Sequence, residues 1–212
     1  MEHAKHGRYK SKYTNTPVKA AAFIMHDPRN GAAVGLFGAR FFFRRMGQRA
    51  ADGDVLEYLE NRVVRLEEMI KRLEGGEFVF IGGRVPTKEG MAAKIKRLHE
   101  AAADCCGHVA MMRRNRASAL SSAAGKAPEM QEKAALEMRA AAEHSERAAG
   151  HFEKAGMGDR AARQWETAAE YWGSLGALKL ELDAYGRAAT AFKAEDRVAD
   201  AARCEKAIRH RQ

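Results

Sequence analysis

Proline and cysteine are both scarce in this sequence, with four and three residues in 212. A collagen-like chain would need far more proline and glycine, and a disulfide-stapled secreted domain far more cysteine. Cys105 and Cys106 are adjacent and Cys204 lies far downstream, so no C-x-x-C pair exists to build a zinc site of the usual spacing. Reduced thiols in a cytoplasmic setting are the expectation. Long apolar runs are also missing. The best stretch, residues 31–43, contains Arg40 and falls short of the roughly 18–20 residues that cross a bilayer, so no transmembrane segment is expected. The N-terminus has no apolar core of the signal-peptide kind. It is basic and acid-poor as a transit peptide is, but it has little serine and no amphipathic stripe.

Acid is almost missing from the first quarter. Residues 1–50 carry ten basic side chains and two acidic ones, a net +8 out of the chain's +9. The remaining 162 residues are close to neutral. Hydrophobic residues make up 46% of the chain, too many for a disordered protein and enough for one or two small domains.

The order along the chain suggests five parts. Residues 1–18 read as a flexible basic arm, because few apolar side chains are present to offset the entropy of ordering. Residues 19–53 form a Phe-rich basic element that holds Phe23, Phe37, Phe41, Phe42 and Phe43, five of the nine phenylalanines. Asp27-Pro28-Arg29-Asn30-Gly31 is a turn signal that fits a small β-hairpin with strands near 20–26 and 32–43. Asp27 as N-cap and Pro28 at the first helical position fit a helix instead. The four glycines at 31, 35, 38 and 47 weigh against that helix, each costing about 1 kcal/mol.

Residues 54–116 read as an antiparallel helical hairpin. Leu56, Leu59, Val63, Leu66, Ile70 and Leu73 form a heptad seam, and Ile95, Leu98, Ala102, Cys105, Val109 and Met112 form a second with the same spacing. Charges beside the first seam, among them Glu57, Glu60, Arg62, Arg65, Glu67, Glu68, Lys71 and Arg72, suit a solvated outer surface. Gly75-Gly76 ends the first helix, Glu77 to Ile81 reads as a short strand or apolar plug, and Thr87 can cap the second helix. The Ser- and Ala-rich stretch 117–128 reads as a linker.

Residues 129–212 are Ala-rich and helical, with helices expected near 130–155, 159–172, 177–194 and 197–210. A shift of 40 residues aligns Arg147-Ala148-Ala149 with Arg187-Ala188-Ala189, Phe152 with Phe192, and Ala161-Ala162-Arg163 with Ala201-Ala202-Arg203. Small residues let helices approach closely and one aromatic fills the gap, as a helix–turn–helix repeat needs. The stretch from Ala148-Ala149-Gly150-His151-Phe152 through Ala161-Ala162-Arg163-Gln164-Trp165 to Tyr171 resembles a tetratricopeptide-type repeat, closest to the longer repeats of soluble NSF-attachment-type proteins. The resemblance implies a mainly α protein whose C-terminal part is a solenoid that binds other proteins and performs no catalysis. With only two repeats, the 54–116 hairpin is expected to pack on them as a cap.

Few residues suggest chemistry. Glu100, Asp104 and His108 recur every four residues beside His99, but no Glu-x-x-His or His-Glu-x-x-His pattern is present. Cys105, Cys106 and His108 could pair a thiol with a base, yet Cys105 sits in the apolar seam and reads as core. The glycines at 31, 35 and 38 match no phosphate-binding loop, and Gly125-Lys126 lacks the following Ser or Thr. No catalytic residue, cofactor or metal is therefore expected.

Phe152, Trp165, Trp172 and Phe192 are the expected packing or partner-binding anchors. Lys5, Arg8, Lys10, Lys12, Lys19, Arg40, Arg44, Arg45 and Arg49 are the expected contacts to nucleic acid or an anionic membrane surface, with the neighbouring rings available for stacking or insertion. The sequence thus points to an adaptor that binds a protein partner through its C-terminal repeats, tethered by its basic N-terminal segment. The alternative is an RNA- or DNA-associated protein that uses that segment directly.

Overall fold

The computed structural model describes residues 51–76, 87–124 and 127–211, with side chains from Val55 onward. The chain divides into two units, 1–54 and 55–212. The basic arm, the hairpin-or-helix alternatives for 19–50 and the short strand at 77–81 all lie outside the described residues. The fold is mainly helical. Six helices are described: α1 (Ala51–Glu74), α2 (Lys88–Ala124), α3 (Pro128–Lys154), α4 (Gly158–Ser174), α5 (Leu178–Ala194) and α6 (Val198–Arg211). None of them is long and apolar enough to cross a membrane.

Local chemistry explains the helix starts. The Thr87 hydroxyl accepts from the Gly90 N–H at 3.1 Å and caps α2. Pro128 opens α3, where its missing N–H costs nothing. Residues 117–124 of the expected linker belong to α2, which runs on to Ala124 and buries Ala117. Alanine is the best helix former, and the Ser122 hydroxyl is satisfied by the Ser118 carbonyl at 2.9 Å, so this Ser/Ala composition extends the helix.

Consecutive helices from α2 to α6 pack against one another. Trp165 on α4 donates to Glu153 on α3 at 2.7 Å, and Trp172 donates to Glu146 at 2.8 Å. Partners that ascend on one helix and descend on the other require antiparallel packing. Ion pairs also link next-but-one helices: Arg147 on α3 with Glu67 on α1, Arg160 on α4 with Asp104 on α2, and Arg203 on α6 with Glu166 on α4. These contacts set α1 beside α3, and α2 and α6 beside α4.

The three turns from α3 to α6 share one design. The residue after the helix cap takes a left-handed conformation: Gly156 at φ 67°, Gly176 at φ 68° and Asp196 at φ 55°. The next N–H reaches back five residues. Met157 donates to the Phe152 carbonyl at 2.9 Å, Ala177 to Trp172 at 3.0 Å and Arg197 to Phe192 at 2.9 Å. An inner bond runs from Gly156 to Glu153, from Gly176 to Gly173 and from Asp196 to Lys193. These are Schellman motifs. Each places a buried aromatic, Phe152, Trp172 or Phe192, at the same position of its turn. The repeat seen at 40 residues therefore resolves into a unit of 20, one helix plus a three-residue turn.

The pairs Ala148-Ala149, Ala168-Ala169 and Ala188-Ala189 follow the same register and are all buried. Trp165, Trp172 and Phe192 fill the space between these alanine-lined helices. The sequence reading joined α1 and α2 in an antiparallel hairpin that packs on the repeats as a cap. α1 meets α2 in antiparallel register, Glu60 at Arg113 and Glu74 at His99, while α2 also pairs closely with α3, and Val63 of α1 packs among Cys105, Cys106 and Ala148.

Asp196 occupies a position that glycine fills at no steric cost. Asp196→Gly is expected to raise stability by roughly 0.5–1 kcal/mol, and Gly176→Ala to lower it by about 1 kcal/mol. Urea midpoints at constant m-value check both signs.

Candidate functional site

α1 meets α2 and α3 along a polar seam built on a seven-residue period. α1 contributes Glu60, Glu67 and Glu74; α2 contributes His99, Cys106 and Arg113; α3 contributes Glu137, His144 and His151. Side chains seven apart lie on one helix face, so each set forms a stripe. In an antiparallel arrangement the stripes meet in layers.

The first layer joins Arg113 to two carboxylates. Its Nε donates to Glu60 Oε1 at 2.9 Å and its Nη1 to Glu137 Oε2 at 2.8 Å. Burial alone would make the guanidinium easier to deprotonate, but these two acids outweigh it and hold the proton more tightly. In the middle layer Arg147 Nη2 donates to Glu67 Oε1 at 2.8 Å and to Oε2 at 2.7 Å, while His151 Nε2 lies 3.1 Å from Glu67 Oε1. Burial raises the Glu67 carboxyl, yet the hydrogen bonds from Arg147 and His151 and the Arg147 charge win, so it stays ionised below the usual range. At the far end His99 Nε2 lies 3.2 Å from Glu74 Oε1, and His99 Nδ1 lies 2.9 Å from His151 Nδ1. His99 is only 2% exposed.

Cys106 sits beside the middle layer with no exposed surface. Burial pushes its thiol up to about 12, and burial likewise raises Cys105, so neither is an activated nucleophile in this environment. Burial lowers His151 despite Glu67, and it lowers His144 to about 4, helped by the Arg147 charge. Glu60 lies 3.9 Å from His144 Nε2 but is already engaged by Arg113, so it does not hold a proton on that ring.

The structure separates the helical quartet read from the sequence. His99 faces α1 and α3, whereas Glu100 and Asp104 pair with Arg160 of α4. His108 Nδ1 donates to the Asp104 carbonyl at 2.6 Å. Asp104, Gly107, His108, Met111, Arg160 and Gln164 line an open groove of about 260 Å³ between α2 and α4. The Arg160 guanidinium lies 4.1 Å from the centre of the Phe152 ring.

Phe152, Trp165, Trp172 and Phe192 are each between 0 and 6% exposed and pack inside the helix array. The basic residues from Lys5 to Arg49 lie outside the described residues. Glu60 and Glu67, expected on a solvated surface, instead face the α2–α3 pair. The sequence reading did not single out Glu67 or His151 as site residues, although their seven-residue spacing was there to see.

His144 carries a pH signature. Its folded value lies below the ordinary 6.5, so the unfolded chain binds the proton more tightly and protonation favours unfolding. The stability it contributes is complete above about pH 6.5 and is lost as the pH falls toward about 4, amounting to about 3 kcal/mol at most. Arg147, Arg113, Glu60 and Glu67 surround it and set that balance. Urea unfolding at pH 7 and pH 5 is expected to show a steeper loss for the native chain than for His144→Gln.

Among known proteins, no family model, curated protein or solved structure matches this chain.

Proposed function

We propose that the chain is a non-enzymatic adaptor whose C-terminal helices form a tetratricopeptide-like solenoid for a protein partner. The observation that carries this reading is the repeated unit of helix and Schellman turn, with its buried aromatic at Phe152, Trp172 and Phe192. Two units of 20 residues make one helical pair of 40, the period of the internal repeat. Stacked helical pairs of this kind bury their small and aromatic residues between neighbours and leave their outer faces to recognise partners. Leu178, Leu180 and Val198 are exposed near the starts of α5 and α6 and offer apolar contact area.

The basic N-terminal segment serves as the tether, meeting an acidic partner surface, nucleic acid or an anionic membrane. A chain that works mainly through nucleic acid is the second reading. It is favoured by the +8 charge of residues 1–50 and the run Arg40-Phe41-Phe42-Phe43-Arg44-Arg45.

Paired variants of the full chain separate the two. The adaptor reading expects partner binding to weaken tenfold or more in Leu178→Glu/Leu180→Glu, and to survive when Arg40, Arg44, Arg45 and Arg49 are changed to Gln. The nucleic-acid reading expects the reverse, with the salt slope of binding falling by about one for each phosphate contact removed. Titrations at two salt concentrations, against the recovered partner and against single-stranded RNA, give the answer.

A further inference from the structure

Glu67, Cys106 and His151 come from three helices, yet one ligand atom of each lies within 4.8 Å of the others. The side chains around them are held in a chain of close contacts: His99 Nε2 lies 3.2 Å from Glu74 Oε1, His99 Nδ1 lies 2.9 Å from His151 Nδ1, and His151 Nε2 lies 3.1 Å from Glu67 Oε1. A proton on His151 Nε2 closes the contact with Glu67, and a metal cation can take that proton's place.

The surroundings favour the cation. Cys106 is fully buried, and its sulfur belongs to the same group of ligand atoms. A proton on His151 does nothing for that sulfur, whereas a metal takes it as a thiolate. A site of one sulfur, one imidazole nitrogen and one carboxylate oxygen suits zinc. Zinc bonds of about 2.0–2.3 Å at tetrahedral angles place neighbouring ligand atoms about 3.3–3.6 Å apart. The 3.1 Å between Glu67 and His151 is close to that spacing.

The outer groups are arranged as metal ligands require. Arg147 holds both oxygens of Glu67, and His151 is oriented from behind by His99, which is itself fixed by Glu74. We propose that Glu67, Cys106 and His151 bind a zinc ion that clips α1 to the α2–α3 pair, with a fourth position left for water. On binding, Cys106 releases its proton to solvent while Glu67 and His151 coordinate as carboxylate and neutral imidazole. The ion's two charges are then met by two anionic ligands, Glu67 and Cys106, beside the Arg147 guanidinium that bonds both oxygens of Glu67.

The test uses the full-length chain, stripped of metal by a chelator and titrated with cobalt(II), then zinc(II). One equivalent of cobalt should bind and give a thiolate-to-metal charge-transfer band that zinc abolishes. The band should vanish in Cys106→Ser and persist in Cys105→Ser and Cys204→Ser. Glu74→Gln, which touches only the outer relay, should weaken affinity roughly 10-fold. Circular dichroism establishes that each variant is folded. A folded native chain that takes up no cobalt, or a band that survives Cys106→Ser, overturns the site and leaves the Glu67–His151 contact as an ordinary hydrogen bond.

Discussion

Close approach of alanine-lined helices sets the geometry of the whole C-terminal array. At Ala148-Ala149, Ala168-Ala169 and Ala188-Ala189 the side chains are small enough to bring neighbouring backbones together, and every one of these positions is buried. That closeness leaves a slot for a large ring at each turn. Phe152, Trp172 and Phe192 occupy it, each placed by the Schellman motif that ends its own helix. Helix length, turn type and aromatic position are therefore one constraint seen three ways. A residue added inside a helix would rotate its aromatic by about 100° away from its slot.

Most of this was legible in the sequence. Helices expected at 130–155, 159–172, 177–194 and 197–210 are found at 128–154, 158–174, 178–194 and 198–211. Gly156 and Gly176 marked two turns because only residues tolerant of positive φ close them. The third turn was legible only as Glu195-Asp196, where aspartate takes the glycine position. The stretch 117–124 misled because Ser and Ala are shared by linkers and helices, and composition alone does not decide between them. Packing against neighbouring helices does, as buried Ala117 shows.

The polar seam was harder to see. A search for apolar heptads finds Leu56, Leu59, Val63, Leu66, Ile70 and Leu73 and assigns the intervening charges to solvent. Glu60, Glu67 and Glu74 follow the same seven-residue period on an adjacent stripe, and His99, Cys106 and Arg113 repeat it on α2. What turns them toward other helices is that α1 rests on two helices rather than one, so its contact arc is wider than a single seam. Nothing local in the chain announces that second neighbour, because His151 is 84 residues from Glu67.

That separation divides the molecule kinetically. The contacts that join α3 to α4 span 12 and 26 residues, from Trp165 to Glu153 and from Trp172 to Glu146, and they close over short loops. The α1 contacts to Arg147 and His151 span 80 and 84 residues and depend on α2 and α3 being in place first. Chain closure over longer separations costs more entropy and comes later. The array from α3 to α6 is thus the part that assembles by neighbouring steps, and α1 is the latch that shuts once the helices beneath it have formed.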